Sequence, residues 1–170
     1  MKDNFISIDS IDVFIFDFDG VLTDNIVLVD QNGKESVSCS RADGLAFDVL
    51  HKLKKFTYIL STEKNPVVEQ RAKKLKIQVL QGIGNKAEAL KDLAIRKSFN
   101  LSNALYVGND INDYRAMQLC GYSVCPADSH PKIKNISDVV LKTLGGKGVV
   151  RELLEEVFEV DFIKTLEPKT

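Results

Sequence analysis

The sequence predicts an α/β fold in which helices cover both faces of a parallel sheet, and three observations support this fold class. Short apolar runs suited to buried strands recur along the chain. Longer segments with helical periodicity separate them, and a regular alternation of strands and helices is typical of parallel sheets. The 170 residues contain no Pro-rich or Ser-rich linker and suit one core. We therefore expect a single Rossmann-like domain over residues 1–170.

The boundaries of the elements follow from the two periodicities. The predicted strands are Val13–Phe16, Thr57–Leu60, Gln78–Leu80, Ala104–Val107 and a weaker run at Ser123–Cys125. The predicted helices are Gly44–Lys55, Pro66–Leu75, Lys86–Lys97 and Asp113–Leu119. Ligands bind beyond the carboxyl ends of the strands in such sheets, so the residues that follow each strand are the candidates for a functional site.

Two segments depart from this alternation. Between IVLVD and ESVSC lies QNGK, whose Asn32-Gly33 pair is a strong signal for a tight hairpin turn. This pattern predicts a β-hairpin flap over residues 26–39, directly after the first strand. The C-terminal segment 145–170 begins with GGKG and continues with the amphipathic VVRELLEEVFEV. It fits either a final helix or a tail that reaches a partner subunit.

The overall charge balance argues against two classes of partner. The formal net charge is −1 and the isoelectric point is about 6.1. A nucleic-acid-binding or membrane-surface protein would need a basic patch that this sequence does not show. No stretch is long and apolar enough to cross a bilayer, and the N-terminus lacks the pattern of a leader. We expect a cytoplasmic protein that acts on a small molecule.

Polar residues follow four of the predicted strands. They are Asp17 and Asp19 after the first, Ser61 and Thr62 after the second, Lys86 after the third, and Asn109, Asp110 and Asp113 after the fourth. Because the carboxyl ends of parallel strands gather on one edge, we expect these side chains to converge. Paired carboxylates repel each other unless a cation lies between them, and Mg²⁺ binds carboxylate, water and phosphate oxygens. The pattern predicts a site for Mg²⁺ and a phosphate group.

These residue types match the needs of phosphoryl transfer. Asp17 can attack phosphorus in line and form an aspartyl-phosphate. Asp19 can give a proton to the leaving oxygen and later take one from water. Ser61 would hydrogen-bond a phosphoryl oxygen, and Lys86 would neutralise charge on the transferred group. The hypothesis from the residues alone is a phosphomonoesterase.

The four segments together resemble the motifs of the haloacid dehalogenase superfamily of phosphatases. The matching segments are DFDGVLTDN, LST, Lys86 and GNDIND. Further segments, QNGKE, SRADG, VEQRAKKLKI, LQGIGNK and GGKGVVRE, are similar to the subgroup acting on phosphorylated 2-keto-3-deoxy sugar acids. This subgroup contains the octulosonate 8-phosphate phosphatases and the nonulosonate 9-phosphate phosphatases, and the similarity covers nearly the whole chain. The resemblance implies no cap domain and a homotetramer in which a neighbour's hairpin and tail help to close each site.

The resemblance also implies a set of substrate-binding residues. They are Ser40, Arg41, Asp43, Gly44, Thr62, Glu63 and Arg71. Glu63 stands where the octulosonate enzymes carry an arginine and resembles the glutamate of the nine-carbon enzymes, which favours a nonulosonate 9-phosphate. Arg71 matches a substrate-binding arginine and is the candidate for recognising the carboxylate of the sugar acid. Arg41 lies one place earlier than the family's arginine, whose position is Ala42 here.

The fourth motif departs from the family at a metal ligand. The usual first aspartate is Asn109 here, whose oxygen can bind Mg²⁺ without contributing charge. The implied ligands are Asp17, Asp19 and either Asn109 or Asp110, with Asp113 supporting them from behind. Two alternatives stay open: a phosphatase of the same superfamily with another small substrate, and a non-catalytic oligomerisation domain like that appended to acylneuraminate cytidylyltransferases.

Overall fold

Six parallel strands form the central sheet of the computed structural model, which describes residues 6–167. In chain order the strands are β1 (Val13–Phe16), β2 (Leu28–Val29), β3 (Glu35–Ser36), β4 (Phe56–Leu60), β5 (Gln78–Leu80), β6 (Ala104–Val107), β7 (Tyr122–Cys125) and β8 (Val139–Val140). Strands β2 and β3 form a separate antiparallel hairpin, and the other strands follow the order β5-β4-β1-β6-β7-β8. The first five and last three residues of the predicted domain, including the end of the predicted tail, lie outside the described residues.

This strand order determines where the candidate site lies. Counted without the hairpin, the order is 3-2-1-4-5-6, as in Rossmann-like sheets, and its switch point lies between β1 and β6. Strand β1 pairs in parallel with both neighbours, so that Phe16 lies beside Ile59 and Val107. The residues that follow β1 and β6 therefore meet at the switch point, where ligands bind in this fold class. The predicted fold class is confirmed.

The helices connect the strands. Their bounds are α1 (Arg41–Lys52), α2 (Val67–Leu75), α3 (Lys86–Lys97), α4 (Tyr114–Met117), α5 (Pro131–Ile136), α6 (Val149–Glu152) and α7 (Phe162–Leu166), and α6 continues as a π-helical turn over Leu153–Val157. Helix α1 begins before the predicted Gly44 because the Ser40 hydroxyl accepts the Ala42 N–H and caps the helix. The sequence prediction lacks α5, α7 and β8, which are too short for a clear periodicity. Within residues 6–167, no helix is both long and apolar enough to cross a membrane.

Both faces of the sheet are buried, which explains why its strands read as unbroken apolar runs. Phe14 and Phe16 of β1 face a layer made by α1, α2, α6 and α7. Val13 and Ile15 face the opposite layer, made by α3, α4 and α5. The ring of Phe16 packs edge-on against Phe47 of α1, with 5.2 Å between ring centroids. This packing fixes the end of β1 and therefore the position of the residue that follows it.

The hairpin after β1 forms where the sequence predicts it. Asp30 and Lys34 pair across a three-residue loop in which Gly33 has a φ of 76°, a conformation that glycine adopts without steric cost. Four consecutive apolar side chains on its first arm are 47–69% exposed: Ile26, Val27, Leu28 and Val29. A contiguous exposed apolar segment of this kind is typical of an interaction surface.

The GGKG segment packs against its own chain. Gly146 donates its N–H to the Val21 carbonyl at 2.9 Å, and a Cβ added to Gly145 would clash with the Gly20 carbonyl oxygen. Both contacts are with the loop that follows β1. The predicted tail therefore begins as a buried loop and continues as α6 against α1, which differs from a free arm that extends to a partner.

Candidate active site

Asp17 directly follows β1 and lies at the switch point. Its Oδ1 accepts the Phe18 N–H at 2.7 Å and lies 2.7 Å from the Nζ of Lys86. The structure gives Oδ2 no hydrogen bond within residues 6–167, and Asp17 lines a cavity together with Asp19. One carboxylate oxygen is therefore fixed and the other is available for reaction.

Lys86, the first residue of α3, is held between two carboxylates. Its Nζ lies 2.7 Å from Oδ1 of Asp17 and 2.7 Å from Oδ1 of Asp113. The residue is only 2% exposed. Asn85 caps the helix by accepting the Ala87 N–H, which places the lysine in the first turn. An ammonium there opposes the helix dipole, and the two carboxylates compensate for this.

Asp113 joins Lys86 to the loop that follows β6. Its Oδ1 accepts hydrogen bonds from Lys86 at 2.7 Å and from the Tyr106 hydroxyl at 2.9 Å. Its Oδ2 accepts the backbone N–H groups of Asn109 and Asp110 at 3.0 and 3.3 Å. A fully buried carboxylate needs such donors because it has lost its water. Asp113 therefore holds the site together from behind and does not line the cavity.

Two carboxylates share one ammonium in this buried cluster, which controls their proton affinities. Burial, followed by repulsion from Asp113, raises the pKa of Asp17 well above its ordinary value, and Lys86 offsets this only in part. Burial opposes the charge on Lys86, but attraction to Asp17 and Asp113 outweighs it and raises the pKa of the lysine. With every group ionised, the cluster carries one excess negative charge, so a cation that binds beside Asp17 favours its ionised form.

Asp19 is half-buried and lines the same cavity as the nucleophile candidate. The Thr23 hydroxyl donates to its Oδ1 at 3.3 Å and accepts the N–H groups of Gly20 and Asn25. Burial raises the pKa of Asp19, the Thr23 hydrogen bond opposes this, and the charge of Glu63 adds to it. A carboxyl group that holds its proton closer to neutral pH suits a general acid and base.

The segment after β4 brings two hydroxyl groups to the same edge of the sheet. Ser61 is buried, and its Oγ accepts the Glu63 N–H at 3.1 Å, which leaves its own hydrogen for a phosphoryl oxygen. Thr62 is exposed and lines the cavity. The Oε1 of Glu63 accepts the backbone N–H groups of Lys64 and Asn65, so half of this carboxylate is folded back onto its own loop.

The residues after β1 and β6 fit a Mg²⁺ site. Asn109 is 8% exposed, and its Oδ1 is a buried oxygen without a hydrogen-bond partner among the described residues. A buried acceptor of this kind costs free energy unless a ligand uses it. Asp17, Asp19 and Asp110 line the same cavity of about 330 Å³. In the described part of the chain no three acidic, histidine or cysteine side chains lie close enough together to hold a metal ion by themselves, so the amide oxygen of Asn109 would complete the set.

A larger cavity, of about 750 Å³, adjoins the first. The two share Thr62, Ile111 and Asn112. Lys86 lines the larger cavity, whereas Asp17 and Asp19 line only the smaller one.

The predicted substrate-binding residues Ser40 and Asp43 serve the fold of this chain. Ser40 caps α1, as described above, and the Oδ1 of Asp43 accepts the N–H groups of Val150 and Arg151 at 2.8 and 3.2 Å. These N–H groups begin α6, so one carboxylate joins the starts of two helices. Burial raises the pKa of Asp43 to about 6 despite these hydrogen bonds, and its Oδ2 has no partner within residues 6–167. The structure does not bring Ser40 or Asp43 into the cavity after β1.

We expect Asp43→Asn to reduce the pH dependence of stability between about pH 4 and pH 6. Folding raises the pKa of this carboxyl from 3.8 to about 6, so the folded chain binds the proton more tightly than the unfolded chain. The free energy of unfolding therefore falls as pH rises through this window, by about 3 kcal/mol in total. Asparagine keeps an acceptor oxygen but cannot ionise.

Urea unfolding at several pH values would measure this effect. The exposed Asp48 on the same helix offers a matched control, and Asp48→Asn should keep the wild-type slope. A slope of Asp43→Asn equal to that of the wild type would contradict the expectation.

Arg71 lines a different cavity, together with the predicted substrate-binding residues Arg41 and Gly44. Its Nη2 donates to the Ser40 carbonyl at 2.7 Å, and its Nε is buried without a partner in the described chain. This cavity, of about 290 Å³, shares no lining residue with the cavity at Asp17. The expectation that these residues join the phosphate site is therefore not met within one chain.

Comparison with known proteins decides the family. Residues 45–153 match the haloacid dehalogenase-like hydrolases. The chain belongs to this family. The 3-deoxy-D-manno-octulosonate 8-phosphate phosphatase of Escherichia coli K12 is 34% identical over 148 residues, which cover 86% of this chain and 79% of that protein. The Haemophilus influenzae enzyme of the same name is 33% identical over 89% of this chain and 85% of that one. The resemblance is confirmed: the chain is a phosphatase of this family, and a non-catalytic role loses its support.

Solved structures of this family share the fold. A hydrolase of the family from Streptomyces avermitilis has a TM-score of 0.86 and 42% identity, covering 88% of this chain and 86% of that one. The Moraxella catarrhalis octulosonate phosphatase, solved with magnesium, phosphate and the sugar acid, has a TM-score of 0.86 and 28% identity over 93% and 94% of the two chains. A cobalt-bound Haemophilus influenzae enzyme has a TM-score of 0.84 and 33% identity over 89% of both chains. The predicted fold without a cap domain is confirmed.

Two polar side chains of the site are absent from the sequence prediction. Thr23 lies within DFDGVLTDN, but its contact with Asp19 depends on the turn at Gly20, which has a φ of 79°. Tyr106 lies inside the apolar run ALYV and has the pattern of a core residue. For Thr23 the motif held a usable signal, because a hydroxyl four residues after an aspartate can reach back to it across a turn.

Proposed function

We propose that this phosphatase is Mg²⁺-dependent and removes phosphate from a phosphorylated 2-keto-3-deoxy sugar acid. The observation that carries the proposal is Asp17, which lies at the switch point with one oxygen held by the buried Lys86 and the other facing the cavity. Relatives with about a third of their residues identical are octulosonate 8-phosphate phosphatases, which supports the class of substrate.

The reaction follows from the positions of two carboxyl groups. The free oxygen of Asp17 attacks phosphorus and forms an aspartyl-phosphate, while the bond from phosphorus to the sugar oxygen breaks. Asp19 gives its proton to that leaving oxygen. Asp19 then takes a proton from water as the water oxygen attacks phosphorus, which releases inorganic phosphate and restores Asp17. Ser61 and Lys86 bind the phosphoryl oxygens during both steps.

Asp17, Asp19 and Asn109 would hold the metal ion. Bound Mg²⁺ would reduce the repulsion between the carboxylates and the phosphoryl oxygens. The buried Oδ1 of Asn109, which has no hydrogen-bond partner in residues 6–167, favours this residue over the exposed Asp110 as the third ligand.

We expect Asn109→Asp to tighten Mg²⁺ binding by roughly tenfold, because it puts a full negative charge where the ligand is now a neutral amide. Calorimetric titration of the chain with Mg²⁺ measures this directly. Asp110→Asn is the matched variant and should leave the affinity within about twofold of the wild type if Asp110 is not a ligand. An unchanged affinity in Asn109→Asp together with a loss in Asp110→Asn would assign the site to Asp110.

Two observations bear on the number of carbon atoms in the sugar acid. The relatives support an eight-carbon substrate, 3-deoxy-D-manno-octulosonate 8-phosphate, and we propose this one first. Glu63 favours a nine-carbon acid as the second candidate, since it occupies the position that distinguishes the two groups of enzymes. Its charge is close enough to contribute to the raised pKa of Asp19.

We propose that the protein acts as a homotetramer, in which each site is completed by a neighbour. The exposed apolar arm at residues 26–29 supports this, because it has no cover within the described chain. Arg71 lines a cavity that shares no residue with the Asp17 cavity in one chain, and a neighbouring copy would join the two into one substrate site. Light scattering after gel filtration tests this proposal, and a monomeric mass would overturn it.

The cytoplasmic location stays a prediction, which cell fractionation would test. The absence of nucleic-acid partners also stays a prediction.

Phosphate release tests the proposed function. The assay compares octulosonate 8-phosphate, a nonulosonate 9-phosphate and a generic aryl phosphate, each with Mg²⁺ and with a chelator. We expect the sugar acid phosphates to give a much higher kcat/KM than the aryl phosphate, and the chelator to abolish release. Equal rates with all three substrates would contradict the proposal of a sugar acid substrate. Phosphate release in the presence of the chelator would contradict the proposed dependence on Mg²⁺.

A further inference from the structure

Tyr106 donates a side-chain hydrogen bond to Asp113 that the proposed phosphoryl chemistry does not use. Its ring lies in β6, and the residue is 0% exposed. Its hydroxyl donates to Oδ1 of Asp113 at 2.9 Å. Phenylalanine would fill the same space, and burying a hydroxyl costs free energy unless it makes a hydrogen bond. The hydrogen bond to Asp113 is therefore the feature that distinguishes tyrosine from phenylalanine at this position.

The atom that accepts this hydrogen bond is also the one that competes for Lys86. The ammonium lies 2.7 Å from Oδ1 of Asp17 and 2.7 Å from Oδ1 of Asp113. Two buried carboxylates thus attract the same cation. The carboxylate whose negative charge is better satisfied by other donors attracts the ammonium less strongly.

We propose that Tyr106 is a positioning residue: by donating to Asp113, it weakens that residue's attraction for Lys86 and keeps the ammonium at Asp17. The proposal rests on the assignment of Asp17 as the nucleophile, but it does not depend on which phosphate ester is the substrate. Burial, with repulsion between the phenolate and Asp113 second, raises the pKa of Tyr106 well above its ordinary value. The phenol therefore remains protonated and able to donate at any pH at which the protein works.

The chain offers a matched control for this hydroxyl. Tyr58, in β4, is 3% exposed and belongs to the same layer of the core as Tyr106. It lines a cavity with Asp12 and Phe56 at the amino-terminal edge of the sheet, away from Asp17. Replacing either tyrosine with phenylalanine removes one phenol oxygen from a residue of the same core layer, but only the Tyr106 oxygen donates a hydrogen bond to the cluster.

The test compares Tyr106→Phe with Tyr58→Phe. With an aryl phosphate and saturating Mg²⁺, we expect Tyr106→Phe to lower kcat by roughly tenfold and to leave KM within about twofold, because the phenol acts on the nucleophile and not on ground-state binding. Tyr58→Phe should keep the wild-type kcat. A kcat of Tyr106→Phe within about twofold of that of Tyr58→Phe would overturn the proposal, even if its melting temperature were lower.

A second measurement does not require turnover. Crystal structures of both variants would give the distance from Lys86 Nζ to Asp17 Oδ1, which is 2.7 Å in the native chain. We expect this distance to exceed about 3.5 Å in Tyr106→Phe, beyond hydrogen-bond range, and to stay unchanged in Tyr58→Phe. An unchanged distance in Tyr106→Phe would overturn the proposal. If the wild type released phosphate from no substrate, the proposed function would fail while this structural comparison still decided the role of Tyr106.

Discussion

Replacing Asp17 with asparagine is expected to lower phosphate release by at least roughly a thousandfold while the chain stays folded. The amide has nearly the same shape but cannot form the acyl phosphate. Stability should be kept because the buried cluster holds two carboxylates and one ammonium. Asp17→Asn leaves Lys86 paired with Asp113, so the variant has one cation and one anion where the wild type has an excess negative charge.

Release of phosphate from an aryl ester, together with a thermal melt, measures both parts of this expectation. Asp92→Asn removes a carboxylate from the exposed face of α3 and serves as the control. Activity of Asp17→Asn above about one tenth of the wild type would remove Asp17 from the role of nucleophile. A large fall in melting temperature would contradict the charge argument. The loss of activity would then reflect unfolding and not the role of Asp17 as nucleophile.

Lys86→Met should lower the stability of the folded chain, unlike Asp17→Asn, and should lose as much activity as Asp17→Asn does. It removes the only cation that touches Asp17 and Asp113 among the described residues, so two buried carboxylates remain unpaired. Removing one partner of a buried ion pair typically costs about 3–5 kcal/mol. Methionine preserves most of the side-chain volume, so the cost reports the charge and not a cavity.

The pH dependence of this variant distinguishes the two causes. Burial already raises the pKa of Asp17 and Lys86 opposes this, so without the ammonium the Asp17 carboxyl of the folded chain binds its proton still more tightly than that of the unfolded chain. The free energy of unfolding therefore falls as pH rises above about 4, and Lys86→Met should recover stability on acidification relative to the wild type. Denaturant unfolding at about pH 5 and pH 8 measures this, with Lys91→Met on the exposed face of α3 as the control. A deficit that is the same at both pH values would indicate lost packing.

The strands, the main helices and the reacting groups were accessible from the sequence because each has a strong local pattern. Strand β1 has large apolar residues on both faces, and Asp17 follows it at once. Strand β8 has two residues, and helix α5 begins at Pro131, so neither spans enough residues for a period to show. Tertiary contacts decide such short elements.

The support around the site could not be predicted, because it depends on contacts between residues far apart in the chain. Asp43 has the position of a family substrate residue, yet its carboxylate accepts the N–H groups that begin α6. Arg71 has the residue type for binding a carboxylate, but folding places it beside a different cavity. A sequence motif specifies which groups are present, while the partners of each group appear only once the chain is folded.

The docking of the GGKG segment also sets the order in which the site can form during biosynthesis. The loop that carries Asp19 is closed by Gly145 and Gly146, which leave the ribosome long after Asp19 has done so. A nascent chain can build β1, β4 and β6 and bring Asp17 and Lys86 together, but that loop gains its final packing only near the end of translation. The loop that carries the proposed general acid, Asp19, therefore gains its final packing late in folding, after the strands of the sheet can form.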